Sequence, residues 1–211
     1  MIKARTMEER FNTLTHLSGV VFALASGWAI LWPAYHNGWA LAMGVTFFVA
    51  SMLIMFSMST AYHWTLPGKA KKVMRIFDHI SIYIMIAGSY TPICIGVIGG
   101  WLGWLVFGLM WGCTIGGTIY KITAIGKYPR LSLALYLIMG WSVVFIAWPV
   151  YQSVSAWTMV WLLTEGIFYT GGTYFYSKDT KFRYYHPIWH IFVLLGAVAH
   201  WAAVFCICYN S

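Results

Sequence analysis

The residues with the most chemistry to offer are histidines, and two groups of them stand at helical spacing. His186-Pro-Ile-Trp-His190 places two imidazoles at i and i+4, on one face of a helix. Ser59-Thr-Ala-Tyr-His63 places a hydroxyl and an imidazole on one face in the same way. If the two faces meet, three imidazoles converge and a fourth position stays open to water. That is the pattern of a catalytic zinc, whereas a structural zinc is closed by four protein ligands. Asp78 is a carboxylate that could orient or deprotonate such a water. The spacing alone serves other ends equally well. Histidines at i and i+4 also anchor helices at interfaces, and Asp78 reads as well as a helix-terminal acid that complements the dipole or pairs with Arg75.

The elements that must position these groups follow from composition. Of the 211 residues, 61% are hydrophobic and only 9% are charged, against roughly 25% in a soluble domain. So few charges cannot cover a surface in contact with water, and lipid must be the solvent for most of the chain. The 13 Trp, 14 Tyr and 13 Phe fit interfaces and helix packing. Apolar stretches of spanning length fall at about 11–32, 40–62, 79–98, 101–120, 131–149, 157–176 and 187–208. The expected fold is an all-α bundle of seven transmembrane helices forming a single domain over 1–211. Its separators are a turn from Pro33 through Asn37-Gly38, a basic loop from Pro67 with Lys69, Lys71 and Lys72, and the tight Gly99-Gly100 link. Lys127–Arg130 and the polar run Ser177–Arg183 complete them.

The net charge of +8 does not point to nucleic acid once the basic residues are placed. Lys3, Arg5 and Arg10 precede the first helix, and Lys69, Lys71, Lys72 and Arg75 lie between the second and third. Lys121, Lys127 and Arg130 lie between the fourth and fifth, and Lys178, Lys181 and Arg183 between the sixth and seventh. These are all 13 of the chain's Lys and Arg, and the alternate loops have none. The positive-inside rule then puts the amino terminus in the cytoplasm and the carboxyl terminus outside. Ala23-Leu24-Ala25 has the look of a signal cleavage site, but the apolar run continues to Trp32, so a retained first helix is expected.

On this topology five histidines, His16, His63, His79, His186 and His190, share one depth near the cytoplasmic face. His36 falls in an outer loop, and His200 lies ~21 Å along its helix from His186. Glu165 sits midway along the sixth helix, where a carboxylate is costly. It is expected to pair with a hydroxyl such as Ser89 or Thr91 or to stay protonated, and His200 to hydrogen-bond between helices. Cys94, Cys113, Cys206 and Cys208 read as packing residues. So do Gly116-Gly117, Gly140, Gly166 and Gly171-Gly172, as points of close helix approach. Pro92 should kink the third helix, with Ser89 or Thr91 serving freed carbonyls.

Several stretches together carry a family resemblance over nearly the whole chain. They are Glu8-Glu9 with Asn12, His16 and Gly19; Ser59-x3-His63; Phe77-Asp78-His79; Ala87-Gly88-Ser89-Tyr90-Thr91-Pro92; Met139-Gly140-Trp141; and His186-x3-His190. In this order on seven spans the sequence resembles the haemolysin III family of bacterial membrane proteins, relatives of the progestin and adipoQ receptors and of alkaline ceramidases. The resemblance implies a zinc ion held by His63, His186 and His190. It implies Asp78 as the residue that holds the water, and Ser59 as a supporting or substrate-polarising hydroxyl. Glu9, Asn12 and His16 also match, and a supporting role for them stands level with plain helix capping. The expected location is the bacterial cytoplasmic membrane, with membrane lipids as partners and neither nucleic acid nor an obligatory protein partner. Three functions follow in order of preference: zinc-dependent hydrolysis of a membrane lipid amide or ester, a sensor of membrane lipid state with a structural zinc, and a pore or cytolysin. The last is weakest, because Glu165 and a few Ser and Thr are thin provision for a polar channel lining.

Overall fold

The computed structural model describes residues 6–124 and 126–210, and the described residues form helices and no strand. Eight α-helices are found among them: α1 (Met7–His36), α2 (Trp39–Trp64), α3 (Lys69–Thr91), α4 (Gly100–Ala124), α5 (Pro129–Trp141), α6 (Ala147–Ser153), α7 (Ala156–Tyr176) and α8 (Tyr185–Asn210). A π-helical segment, Pro92–Ile98, extends α3, and a 3₁₀ turn, Ser142–Ile146, joins α5 to α6. Six stretches are long and apolar enough to cross a membrane: α1, α2, α3 with its extension, α4, the α5–α6 unit and α8. The chain is a multi-pass membrane protein. Helix α7 has the length but not the hydropathy, because Glu165 and its Thr, Tyr and Gly residues dilute the apolar run.

Helix boundaries depart from the apolar stretches where polar residues are helical. The expected basic loop before the third span is instead the first two turns of α3, with Lys69, Lys71, Lys72 and Arg75 on the helix. Lys, Ala, Met and Arg are good helix formers, and only hydropathy stops at the membrane edge. Asp78 is therefore nine residues, ~14 Å, into α3 and is no helix-terminal acid. It makes no ion pair with Arg75 among the described residues. Likewise α1 runs through Pro33 to His36 and turns only at Asn37-Gly38, where Gly38 has φ +119°. Pro33 deprives the Ala29 carbonyl of its helical donor, and the Tyr209 hydroxyl lies 3.4 Å from that carbonyl. The fifth span is interrupted at Ser142–Ile146, beside Gly140, two valines and Pro149, none of them a strong helix former.

Helices α1 to α4 pack in chain order, and α8 packs against both α7 and α1. Asn37 Nδ2 donates to the Cys208 carbonyl at 2.6 Å, tying α1 to α8 at one end of the bundle. Small residues let backbones approach. A Cβ on Gly88 would strike Ser51 of α2, one on Gly44 the backbone of Pro92, and one on Gly103 the carbonyl of Cys94. Of the glycines singled out in the sequence, Gly117 lies against Tyr83 and Gly172 against Trp189 and Phe192, while Gly116 and Gly140 face open space. The Ser89 and Thr91 hydroxyls donate to the carbonyls of Ile86 and Ala87 at 2.9 and 2.7 Å, next to the carbonyl that Pro92 frees. Gly99 and Gly100 take φ +62° and +54°, which lets so short a link reverse the chain. Cys94 and Cys208 are buried, and all four cysteines are free thiols.

The α5–α6 unit packs least against the rest. Between it, α3, α7 and α8 lies a cavity of about 290 Å³ with a mostly apolar wall. Trp141, Val144 and Ala147 on one side, and Leu163 and Thr170 on the other, both line it and are exposed. Its mouth is therefore a lateral slot between the α5–α6 unit and α7.

Candidate metal centre

Glu9 opens the construction from the start of α1. Thr6 caps that helix by accepting the Glu9 N–H at 3.2 Å, and Glu8 and Glu9 sit in its positive first turn. The Glu9 carboxylate reaches two partners. Oε2 lies 2.6 Å from His63 Nδ1 at the end of α2, and Oε1 accepts from Lys71 Nζ of α3 at 2.7 Å. From the turn before α8, Asp179 Oδ2 holds His186 Nδ1 at 2.7 Å. His190 Nδ1 is 3.2 Å from the Asn12 carbonyl and 3.3 Å from Thr15 Oγ1.

Each of the three Nδ1 atoms is thus occupied by an oxygen acceptor. The Nδ1–H is donated outward, and the Nε2 lone pair is left for the centre. His63 Nε2 is buried without a hydrogen-bond partner. One nitrogen from each of His63, His186 and His190 falls within 4.8 Å of the other two. Ligands at zinc–nitrogen bonds of about 2.0–2.1 Å sit roughly 3.4 Å apart in a tetrahedron, so the set closes on a metal with side-chain movements of about an ångström. His63 and His190 are 3% and 2% exposed and His186 is half-buried. Imidazole nitrogens held by carboxylate and carbonyl acceptors are the donor set zinc prefers. The residues present fit the ion.

His16 is buried and stacks on His190 with ring centroids 3.7 Å apart, and neither of its nitrogens has a partner. Ser59 and Asp78 line the same end of the cavity as His186 and His190. All eight residues singled out in the sequence are therefore drawn to one end of the bundle. His79 belongs there too, but it serves α4. Lys121 Nζ, on a residue only 1% exposed, lies 3.1 Å from His79 Nδ1 and 2.7 Å from Ser132 Oγ. Two participants escaped the sequence reading. Lys71 looked like a topological marker. Asp179 lay in a polar linker whose fold back onto His186 has no periodic signature.

Deeper in the cavity the sequence expectation for Glu165 gives way. Ser89 and Thr91 are engaged with their own helix, and Glu165 Oε2 instead meets His200 Nδ1 at 2.7 Å, joining α7 to α8.

The protein thus carries a histidine triad at the basic end of an all-helical membrane bundle. The family described as haemolysin-III related matches residues 4–201. The chain belongs to that family. It is 36% identical over 203 residues to the hemolysin-3 homolog of Bacillus subtilis (strain 168), covering 95% of this chain and 94% of that one. Identity to hemolysin-3 of Bacillus cereus is 34% over 191 residues, 90% of this chain and 87% of the relative. A human protein, the monocyte to macrophage differentiation factor, is 26% identical over 218 residues, 99% of this chain and 88% of that protein. The triad, Glu9, Asn12, His16, Ser59 and Asp78 all lie inside the matched span.

Proposed function

We propose that the protein is a zinc-dependent hydrolase of membrane lipid amides or esters, with zinc held by His63, His186 and His190. The observation that carries this reading is the convergence of three imidazole nitrogens, each backed by an oxygen acceptor, on the end of an apolar cavity that opens sideways. A zinc ion in that place supplies Lewis acidity towards water and towards a lipid carbonyl. The apolar cavity takes the acyl chain and keeps bulk water away. Asp78 receives the proton given up by the attacking water and returns it to the leaving nitrogen or oxygen as the carbonyl–heteroatom bond breaks. Ser59, buried on the face that carries His63, donates to the lipid carbonyl. Glu9 and Asp179 hold their imidazoles in the ligating tautomer, and Asn12 and His16 pack behind His190.

The same reading includes seven spans, with α7 as the sixth crossing, in the bacterial cytoplasmic membrane. The amino terminus and the zinc lie on the cytoplasmic side. Arg10, Lys69–Arg75, Lys121–Arg130 and Lys178–Arg183 support it, because they gather at the end of the bundle that holds the triad. Lys3 and Arg5 fall outside the described residues.

The test is metal content of the detergent-purified protein, beside the variant His63→Ala, His186→Ala, His190→Ala. About one zinc per chain, lost in the variant, is the expected result. Absence of metal from wild type resupplied with zinc ends the reading. For the chemistry, Asp78→Asn should keep zinc and lose lipid hydrolysis.

A second reading, a sensor of lipid state with a structural zinc, draws on the way Glu9 ties α1, α2 and α3 together around His63. It gains if the metal is present, no lipid is hydrolysed and a deletion strain changes its acyl composition. The Bacillus cereus relative's name speaks of haemolysis by that protein. A lytic pore remains the last choice for this chain because the cavity wall is mostly apolar, and conductance from purified protein in bilayers would revive it.

A further inference from the structure

Buried polar atoms without partners mark two places along the cavity. Asn12 Oδ1, both nitrogens of His16 and His63 Nε2 surround the metal centre. The Tyr169 hydroxyl and His200 Nε2 belong to a second place, where α7 faces α8 in the bundle's interior. Both residues line the cavity, together with Glu165. The three are held in register by their helices. Glu165 and Tyr169 stand one turn apart on α7. The Tyr169 ring lies against Gly196, which has no side chain to displace it, and Gly196 is one turn from His200 on α8. His200 is 2% exposed, and its ring leans on Phe48. Ten residues separate it from His190, ~15 Å along α8.

Other deep polar groups on the cavity wall are satisfied. The Tyr90 hydroxyl donates to the Gly140 carbonyl at 2.8 Å, and Ser89 Oγ donates to the carbonyl of Ile86. An unsatisfied buried polar atom costs about 1–3 kcal/mol, and in a membrane interior such groups default to function. Two of them, on facing helices and on residues that line one apolar cavity, point to a ligand between them.

We infer that Glu165, Tyr169 and His200 form a second binding site in the cavity, one that selects lipid chains carrying a hydroxyl near mid-chain. A hydroxyl is the group that fits whichever way the Glu165–His200 proton is placed. With the proton on Nδ1, His200 Nε2 is an acceptor and takes the ligand's O–H. With the proton on Glu165, Nε2 carries hydrogen and donates to the ligand's oxygen. In either case the Tyr169 hydroxyl completes the pair as donor or acceptor. A carbonyl or ether serves only one arrangement. The inference shares the lipid of the proposed hydrolase but not its metal, so binding is to be read without turnover.

The test uses the full chain in nanodiscs and native mass spectrometry with three probes: stearate, mid-chain hydroxystearate and alpha-hydroxystearate. One net hydrogen bond is worth about tenfold. Mid-chain hydroxystearate should bind about tenfold tighter than stearate, and alpha-hydroxystearate should show no gain, because its hydroxyl stays beside the carboxylate. Tyr169→Phe keeps the ring on Gly196 and should cut the preference several-fold. His200→Leu should abolish the preference. Equal binding of the three probes to wild type overturns the inference, whether or not zinc is present. So does a preference that survives unchanged in Tyr169→Phe.

Discussion

At the residue scale, the acceptor behind each imidazole decides what the centre can do. His190 leans on a backbone carbonyl, which no side-chain substitution removes. His63 and His186 lean on carboxylates contributed by the start of α1 and by the turn before α8. A carboxylate fixes the tautomer and raises the basicity of the nitrogen that ligates, and losing such a partner costs 10–100-fold in metal affinity. Glu9→Gln keeps the size and one hydrogen-bonding oxygen but loses the charge shared between His63 and Lys71. It should weaken zinc affinity about tenfold, measured by competition with a chromogenic chelator, while helicity stays as in wild type. Unchanged affinity would mean that His63 is oriented by its helix alone.

At the element scale, close approach of helices fixes how far Ser59 and His63 stand from Asp78. Gly88 in α3 faces Ser51 in α2 with no room for a Cβ, so any side chain there drives the two helices apart. Gly88→Val should destabilise the bundle by about 1–3 kcal/mol, the usual cost of overpacking. It should lower the thermal transition in detergent and weaken zinc retention as well. Retained stability would show that α2 and α3 slide freely past one another. The sequence discloses these elements unevenly. Hydropathy finds the apolar segments, and i,i+4 spacing finds His186-x3-His190 and Ser59-x3-His63, because both are periodic properties of a single helix. The polar first turns of α3 are invisible to hydropathy, although their residues favour helix. Asp179 on His186, Glu165 on His200 and Lys121 on His79 each join separate elements, and nothing in local spacing announces them.

At the scale of the whole molecule, everything turns on whether α7 crosses the bilayer. By composition it falls short of the other six, yet it forms a wall of the cavity, supplies Glu165 and Tyr169, and packs along α8. Its polar residues are no bar to crossing where they face that cavity and α8 instead of lipid. Trp157, Leu163 and Ile167 are exposed on its outer side, as a lipid-facing surface requires. An odd number of spans puts the two termini on opposite sides of the membrane, and an even number puts them together. Reporter fusions separate the cases: a carboxyl-terminal alkaline phosphatase should be active and a carboxyl-terminal green fluorescent protein dark, since each works on one side only. A fusion after Lys178, in the basic linker, should give the opposite pair of signals. If the carboxyl terminus instead reports from the cytoplasm, α7 does not cross, and the lateral slot between α7 and the α5–α6 unit no longer faces hydrocarbon. The zinc reading would fall with it, because His186 and His190 would then begin α8 on the face opposite His63 at the end of α2. The lipid-chain site built on Glu165, Tyr169 and His200 would fall for the same reason, since it needs α7 antiparallel to α8.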